Sequence, residues 1–547
     1  MRALRAVALL VLAALLGLGT VPAQATESAA RPGETPGAAP AEFAEQAAAQ
    51  GVDISYERIP GHDGISLSGV TVTPKTPGPH PLLVMPGSWG MPSVEYVGAA
   101  LRLAGSGDYA VISYAARGFW TSGGGIEVAG PSDVSDARKV IDWGLANLPA
   151  DPARVGMAGV SYGAGLSLLT AAEDNRVRAV SALSGWADLT ESLYRNETLT
   201  TQSIEALLAL GKITGRPSPM LRKLEADYRA GDIEEALKAA PERSASTKVA
   251  ELNANRPAVM LANAWQDGIF APNQYADFYE RLEVPKRLMF SPGDHATLEL
   301  TGLFGLPNEI WADTTRWFDR YLRDEQNGID KEEPVRLKAV NEQGWQSYPD
   351  WEGYPDWAAA QQPEKRYYLG EQELGEQPAS GWQRTIQAGK DTIANSGVMI
   401  LSGALQGYLK LPVGVATPLI DRSRAAVWSG QAFAQDTMVT GSPRLRAAVT
   451  PSAPNTTLVA YLYDTGPHGK GSLITHAPMT LRDATPGQPR EIDLELNSIA
   501  WKVPAGHQLT LVVDTMDARY GSESEQGSTV IFESPNSAPA SLRVAQS

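Results

Sequence analysis

The chain has 547 residues, a formal net charge of −16 and no cysteine. This length allows two or more domains with cores of their own, and the lack of cysteine excludes disulfides and thiol chemistry. The acidic balance argues against nucleic acid and anionic membrane surfaces as partners.

The first 25 residues have the pattern of a secretory signal peptide. Arg2 and Arg5 precede the apolar run AVALLVLAALLGLG, and AQA (23–25) supplies the small residues of a cleavage site. The run is short for a membrane-spanning helix and no later segment is apolar enough, so we expect a secreted protein, extracellular or in the cell envelope. Residues 26–50 are rich in Ala, Pro, Gly and Glu, which predicts a disordered leader.

Strands and helices alternate in the part of the chain that follows. Apolar patterning predicts strands at VDISYERI (52–59), ISLSGVTVTP (65–74) and HPLLVMPG (80–87). Further strands at 109–114, 154–160 and 177–185 alternate with helices at 133–148 and 164–172. This order predicts an α/β fold, with a parallel sheet covered by helices on both faces.

The alternation stops after residue 187 and resumes later. Helical patterns without an intervening strand predict a helical cap inserted at 189–254. Strands at 257–265 and 286–293 then complete a domain that we place at 51–323.

The remainder of the chain has a different pattern. A charged, breaker-rich segment at 324–334 is predicted to be a linker. In residues 335–547 clear helices are lacking, and short alternating runs such as TTLVAYLYD and HQLTLVVD are separated by turn residues. This region is predicted to be a β-sandwich of the jelly-roll type, either a binding module or a wall of the neighbouring site.

The segment VGMAGVSYGAGLSLLTA (155–171) places Ser161 between Gly159 and Gly163, where a strand is followed by a helix. Gly-x-Ser-x-Gly at such a turn is the nucleophile elbow of α/β-hydrolases, although a serine that only caps the helix gives the same pattern. The position at the carboxyl end of a central strand, where open α/β sheets bind ligands, favours the first interpretation.

A nucleophilic serine needs a base, and the base needs an acid that fixes its tautomer. Asp267 follows one later strand and His295 follows the next, in the order Ser, Asp, His that this fold requires. Asp294 is a rival acid, but adjacent side chains rarely point at each other, so Asp267 is preferred. The chain has no HExxH motif and no paired histidines, so neither a metal nor a cofactor is expected.

Several segments resemble the cocaine esterase and Xaa-Pro dipeptidyl-peptidase group of serine hydrolases. RGFWTSGG, GVSYGA, AWQDGIF and SPGDHA look like its active-site blocks, and KRYYLG and AWKVPAGHQLTLVVD look like its carboxyl-terminal β-sandwich. The resemblance implies an α/β-hydrolase domain with a cap and a β-sandwich, with Ser161, Asp267 and His295 as nucleophile, acid and base.

The stabilisation of the oxyanion departs from this family. The backbone N–H of Tyr162 is one expected donor. The family usually has a tyrosine after the proline that ends the third strand, whereas this chain has Gly87 there. The Trp89 indole, the Ser88 hydroxyl or a backbone N–H are the candidate replacements, with Trp89 ranked first.

The substrate is expected to be a small ester or a short peptide. In related amino-ester hydrolases, acids follow the catalytic aspartate, but here that position is apolar. The candidate substrate-binding residues are Trp265, Ile269, Phe270 and Asp188. Cap acids could hold a substrate amine or could be solvated helix residues, namely Asp188, Glu191, Glu197 and Glu205.

The sequence therefore predicts a carboxylesterase that cleaves neutral acyl esters, with amides as a further substrate class. The first alternative is an Xaa-Pro dipeptidyl-peptidase, and the second is a non-catalytic binding protein on a hydrolase fold. The sequence leaves the oligomeric state open.

Overall fold

A computed structural model of the chain describes residues 41–341 and 350–547. The predicted signal peptide (1–25) and residues 26–40 of the predicted leader lie outside the described residues. The end of that leader is not disordered, because helix α1 (Ala41–Ala49) covers it. Phe43 and Ala47, one helical turn apart, pack against the core, and alanine is the strongest helix former. The predicted disorder was therefore wrong for this helix.

A ten-stranded sheet forms the centre of the first domain, with the order β1-β2-β4-β3-β5-β6-β7-β8-β9-β11. Its strands are β1 (Val52–Pro60), β2 (Ser66–Pro74), β3 (His80–Pro86), β4 (Ala110–Tyr114), β5 (Ala150–Val160), β6 (Val177–Leu183), β7 (Ala258–Ala264), β8 (Lys286–Ser291), β9 (Val335–Leu337) and β11 (Glu352–Tyr354), while β10 (Val340–Asn341) belongs to the second domain. In this order the strands from β4 to β9 pair parallel with one another, whereas β1 with β2, β2 with β4, and β11 with β9 pair antiparallel.

Helices cover both faces of this sheet. On one face lie α3 (Pro131–Asn147), α4 (Tyr162–Glu173) and α10 (Pro272–Arg281), and on the other lie α2 (Val97–Gly107) and α12 (Glu309–Leu322). In β3, Leu82 and Val84 join the first of these cores, and Leu83 and Met85 join the second. Burial on both faces explains why the strands read as continuous apolar runs.

The segment between β6 and β7 is helical. It contains α5 (Leu189–Leu193), α6 (Thr201–Thr214), α7 (Pro219–Ala230), α8 (Ile233–Leu237) and α9 (Val249–Asn255). The Ser218 side chain caps α7 by accepting the Leu221 N–H, and Asp232 caps α8 in the same way. Within the described ranges, no helix combines the length and the apolar character needed to cross a membrane.

The second domain consists of a nine-stranded and a five-stranded sheet, almost entirely antiparallel. Its strands after β11 are β12 (Glu364–Leu369), β13 (Leu374–Gly375), β14 (Gln383–Gln387), β15 (Gly414–Ala416), β16 (Ala426–Ser429), β17 (Thr437–Pro451), β18 (Thr456–Thr465), β19 (Lys470–Leu481), β20 (Arg490–Glu495), β21 (Ile499–Val503), β22 (Gln508–Asp514), β23 (Thr529–Glu533) and β24 (Ser541–Gln546). The predicted boundary at 323 and linker at 324–334 stay predictions, and after the linker β9 and β11 add two strands to the first sheet, up to residue 354.

The second domain also contains helices that the sequence did not predict. They are α13 (Trp357–Ala360) and α14 (Leu401–Leu409), and the first domain has one more short helix, α11 (Leu300–Leu303). Two glycines lower the helix propensity of α14, which hid it from the sequence pattern. The same glycines allow it to approach the loop after β8: a Cβ at Gly403 would lie 2.5 Å from the Cβ of Asp294, and one at Gly407 would lie 3.0 Å from the Cα of Gly293.

Candidate active site

Ser161 lies at the sharp turn between β5 and α4. Its backbone has φ 56° and ψ −115°, in the left-handed half of conformational space that a non-glycine residue adopts only under constraint. The two flanking glycines are required by close packing. A Cβ at Gly163 would overlap the carbonyl oxygen of Pro86, and a Cβ at Gly159 would overlap the backbone of Gly163. The turn therefore presents a strained serine whose side chain is held in one position.

A chain of two hydrogen bonds links Ser161 to the loops after β7 and β8. Ser161 Oγ lies 2.9 Å from His295 Nε2, and His295 Nδ1 lies 3.0 Å from Asp267 Oδ2. The other oxygen of Asp267 accepts the backbone N–H groups of Ile269 and Phe270, each at 2.8 Å. The structure thus brings the three predicted residues together in the order hydroxyl, imidazole, carboxylate.

The electrostatic surroundings favour a proton on His295. Burial works against the imidazolium, but the charge of Asp267 and its hydrogen bond outweigh burial, so the pKa of His295 is raised above its ordinary value. An imidazole that gains stability on protonation is suited to take a proton from the adjacent hydroxyl.

Asp294, the rival acid, occupies a different position. Its Oδ1 accepts the N–H of Gly268 at 2.7 Å and the N–H of His295 at 2.8 Å, and its Oδ2 accepts the N–H of Gly403 at 3.3 Å. The carboxylate therefore ties together the loop of Asp267, the loop of His295 and helix α14. It holds the two loops in place, and the hydrogen bonds of the imidazole ring go to Asp267 and Ser161 instead.

The predicted oxyanion donors are only partly available. Tyr162 is the first residue of α4, where a backbone N–H has no acceptor within the helix. The side chains of Ser88 and Trp89 are used elsewhere. The Ser88 hydroxyl donates to Glu95 Oε1 at 2.6 Å, and the Trp89 indole donates to the carbonyl of Leu207 in the cap at 2.9 Å. The prediction that the Ser88 hydroxyl or the Trp89 indole donates to the oxyanion is therefore corrected, because both groups have acceptors within the protein.

Two buried carboxyl groups near the site were missed by sequence reasoning. Glu95 accepts both the N–H and the hydroxyl of Ser88, and burial raises its pKa to about 7. Glu299 accepts the Ser184 hydroxyl at 2.8 Å, and burial likewise raises its pKa to about 7. A single acid within a loop or a helical turn has no sequence pattern that distinguishes it from a surface residue.

A series of packed aromatic rings extends from Trp89, whose indole contacts the cap, to Phe270, whose ring contacts His295, and we call them the aromatic belt. The belt contains Trp89, Phe119, Tyr162, Trp186 and Phe270, each ring lying within about 6 Å of the next. Phe270 closes it against His295, with 5.2 Å between the ring centroids. The predicted contact of Phe270 with the site is consistent with this arrangement.

The other predicted substrate-binding residues lie elsewhere. The Trp265 indole donates to the carbonyl of Lys338 at 2.8 Å and packs on Phe290, so it braces β8. Ile269 is a buried residue of the Asp267 loop, and its N–H donates to the Asp267 carboxylate. Asp188 caps α5 and accepts the Ser246 hydroxyl, so its assignment as a substrate ligand is corrected.

The remaining cap acids have partners within the protein. Glu205 pairs with Arg229 and accepts the Tyr228 hydroxyl. The other two lie near arginines, Glu191 at 3.9 Å from Arg195 and Glu197 at 3.5 Å from Arg482. Glu205 and Glu197 are therefore paired with arginines of the chain, whereas Glu191 is only weakly paired, because Arg195 has Glu495 closer at 3.1 Å.

Comparison with known proteins gives matches in both domains. Residues 63–297 match the profile of the X-Pro dipeptidyl-peptidase (S15 family), and residues 327–538 match its C-terminal non-catalytic domain. No curated protein matches the chain.

Solved structures share the whole architecture at low sequence identity. An aminopeptidase from a marine sediment Thaumarchaeota archaeon has a TM-score of 0.72 at 14% identity, covering 91% of this chain and 96% of its own. An α-amino acid ester hydrolase has a TM-score of 0.70 at 15% identity, covering 91% of this chain and 97% of its own. A CocE/NonD family hydrolase from Staphylococcus aureus has a TM-score of 0.67 at 13% identity, covering 90% of this chain and 93% of its own.

Identities this low establish the shared fold, and the two profile matches carry the family assignment. The profiles follow one another along the chain in the same order as the two domains of the structure. The chain is therefore a hydrolase that belongs to the cocaine esterase and X-Pro dipeptidyl-peptidase family of α/β-hydrolases.

Proposed function

We propose that the protein is a secreted serine hydrolase that cleaves carboxylic esters through an acyl-Ser161 intermediate. The observation that carries the proposal is the unbroken hydrogen-bond chain from Ser161 through His295 to Asp267. Its geometry is that of an activated nucleophile, with a base within reach of the hydroxyl and an acid that fixes the base.

The proton movements follow from the contacts of these three residues. Neutral His295 donates its Nδ1–H to Asp267, which leaves Nε2 free to take the proton of Ser161 as Oγ attacks the ester carbonyl. When the tetrahedral intermediate collapses, the same Nε2–H is given to the leaving alcohol. A water then attacks the acyl-serine by the reverse sequence, and the carboxylic acid is released.

Two backbone N–H groups are assigned as the hydrogen-bond donors that stabilise the negative charge on the carbonyl oxygen. The N–H of Tyr162 is one of them, because it lies next to Ser161 at the start of α4. The N–H of Ser88 is used by Glu95, so we assign the second donor to the backbone N–H of Trp89, for which the described residues offer no recorded acceptor. Glu95 acts here by holding the loop after β3 in its shape.

The aromatic belt supports a neutral acyl group as the substrate. Rings favour an uncharged chain, and a substrate ammonium would need an unpaired carboxylate close to the reacting carbonyl. Three of the acids that the sequence offered for that role are used by Arg229, Arg482 and the α5 cap, and Glu191 lines a cavity whose lining lacks Ser161. A dipeptidyl-peptidase is the second candidate, favoured by the S15 profile match.

Labelling by a fluorophosphonate tests the nucleophile. We expect the wild-type protein to be labelled on Ser161, and Ser161→Ala to lose both labelling and turnover, about a millionfold in kcat, without a change in the melting temperature. A Ser167→Ala variant is the matched control, because this buried serine of α4 donates to the Gly163 carbonyl. Persistent labelling of Ser161→Ala on another serine would refute the assignment, and an unlabelled, inactive wild type would indicate a binding protein.

The substrate class is tested by comparing kcat/KM for p-nitrophenyl butyrate and Gly-Pro p-nitroanilide. We expect the neutral ester to be cleaved faster. A preference for the free-amine dipeptide that disappears on N-acetylation would favour the peptidase instead.

The proposal of secretion rests on the pattern of residues 1–25. Expression of the full chain in a secreting bacterial host, followed by N-terminal sequencing of the exported protein, tests it. A mature chain that starts near residue 26 is the expected result, and retention of an uncleaved chain in the cytoplasm would contradict it.

A further inference from the structure

A cavity lies at the junction of the first domain, its cap and the second domain, and we call it the junction cavity. Glu191, Arg195 and Thr200 of the cap line it on one side, and Asp267, Gly268 and Ile269 line it on another. The second domain supplies the remaining wall, with His476, Asn497, Arg519 and Tyr520. A second cavity shares Asp267, Arg519, His476 and Asn497 with it.

Arg519 is the unusual member of this lining. Only 3% of the residue is exposed, and its Nε donates to the Gly397 carbonyl at 3.3 Å. Among the described residues no hydrogen bond is recorded for its Nη1 or Nη2, and no carboxylate lies within 4.0 Å of them. A guanidinium has five N–H donors, and a buried charge without partners is energetically unfavourable.

The charge of Arg519 is only distantly balanced. Asp294 is the carboxylate that it stabilises electrostatically, but the oxygens of Asp294 already accept the N–H groups of Gly268, His295 and Gly403. Arg195, in contrast, has Glu495 at 3.1 Å and donates to Asn497 Oδ1 at 2.7 Å. The unsatisfied donors of the cavity thus belong to Arg519.

The backbone holds Arg519 in a fixed place. Its N–H donates to Asp517 at 2.8 Å, and its carbonyl accepts the Gln202 N–H of cap helix α6 at 3.1 Å. His476 beside it stays neutral, because burial and the charge of Arg519 lower its pKa to about 3. Its Nε2 lies 2.8 Å from the Tyr520 hydroxyl. The structure therefore holds the guanidinium of Arg519 in a fixed place, in a cavity whose acidic lining residues are Glu191 and Asp267.

We propose that the junction cavity binds a small monocarboxylate, with its two oxygens on Nη1 and Nη2 of Arg519. The planar fork of a guanidinium matches the two oxygens of a carboxylate. A dianion such as phosphate fits less well, because Glu191 and Asp267 line the same cavity. The lining of this site includes Asp267 but neither Ser161 nor His295.

Isothermal titration of acetate into the full-chain protein tests the proposal, with chloride at matched ionic strength as the reference. We expect saturable binding with a Kd of about 1 mM, within the limit for so small a ligand. Arg519→Gln should weaken acetate binding at least tenfold. Arg482→Gln is the matched control, because this second-domain arginine is partly exposed and pairs with Glu523 outside the cavity.

A second variant keeps the test decisive if Arg519→Gln does not fold. Asn497→Asp retains the oxygen that accepts from Arg195 and places a negative charge in the cavity, so it should also weaken acetate binding at least tenfold. Absence of acetate binding to the wild type, or equal affinity in the wild type and in either cavity variant, would overturn the proposal. Tighter binding of phosphate than acetate would overturn the choice of a monocarboxylate. None of these results depends on turnover at Ser161.

Discussion

Two aspartates lie beside His295, and exchanging each for asparagine distinguishes the acid from the residue that positions the loops. In Asp267→Asn, one side-chain oxygen still accepts the N–H groups of Ile269 and Phe270. The new amide then faces His295 Nδ1 as a donor. The imidazole must accept there and carry its proton on Nε2, which is the wrong tautomer for taking the proton of Ser161.

The magnitude follows from this tautomer change. The loss in kcat is expected to be about 10⁴-fold, which corresponds to roughly 5 kcal/mol of transition-state stabilisation. The free energy of unfolding should change little, because the backbone N–H groups keep their acceptor. Binding of substrate should also be retained, so KM is expected to stay close to that of the wild type.

Asp294→Asn is expected to behave in the opposite way. Its oxygen still accepts the N–H groups of Gly268 and His295, but its amide opposes the N–H of Gly403. Leaving one buried N–H without an acceptor lowers the free energy of unfolding by about 1–3 kcal/mol. We therefore expect a lower free energy of unfolding and a loss in kcat of no more than about tenfold.

Steady-state kinetics with p-nitrophenyl butyrate and urea unfolding, applied to both variants, form the assay. Near-normal kcat in Asp267→Asn together with a 10⁴-fold loss in Asp294→Asn would show that the acid has been assigned to the wrong residue. Equal losses in both would show that the two carboxylates act as one unit.

Three further predictions concern pH and packing. The interaction with Asp267 raises the pKa of His295 despite burial. We therefore expect kcat/KM to fall as the pH drops and His295 is protonated, with a midpoint above pH 6.5. In Asp267→Asn this midpoint should move to lower pH. Burial raises the pKa of Glu299 from 4.5 to about 7, so the native state binds a proton that the unfolded chain releases. Stability is therefore lost as pH rises from 4.5 to 7, and Glu299→Gln should remove up to about 3 kcal/mol of this fall in urea unfolding. Gly163→Ala should lower the free energy of unfolding by at least about 3 kcal/mol, whereas Gly375→Ala, with open space at its Cβ, should not.

The central features of the first domain can be predicted from the amino-acid pattern. Continuous apolar runs separated by helical periods indicate parallel strands covered on both faces, and the carboxyl ends of such strands meet at one edge. Ser161, Asp267 and His295 each follow a strand in β5, β7 and β8, so their meeting was predictable without coordinates. Local pattern was sufficient because each residue is placed by its own strand.

The tertiary structure alone decided which polar groups near the site are free. Ser88 and Trp89 were chosen as donors by type, but Glu95 and a cap carbonyl bind them. The cap carbonyl is 118 residues away from Trp89 in the chain. Helix α14 escaped the pattern because its glycines serve a contact with the His295 loop. Arg519 lies 252 positions beyond Asp267, and contacts between such distant segments follow no sequence period, since they depend on how the two domains pack.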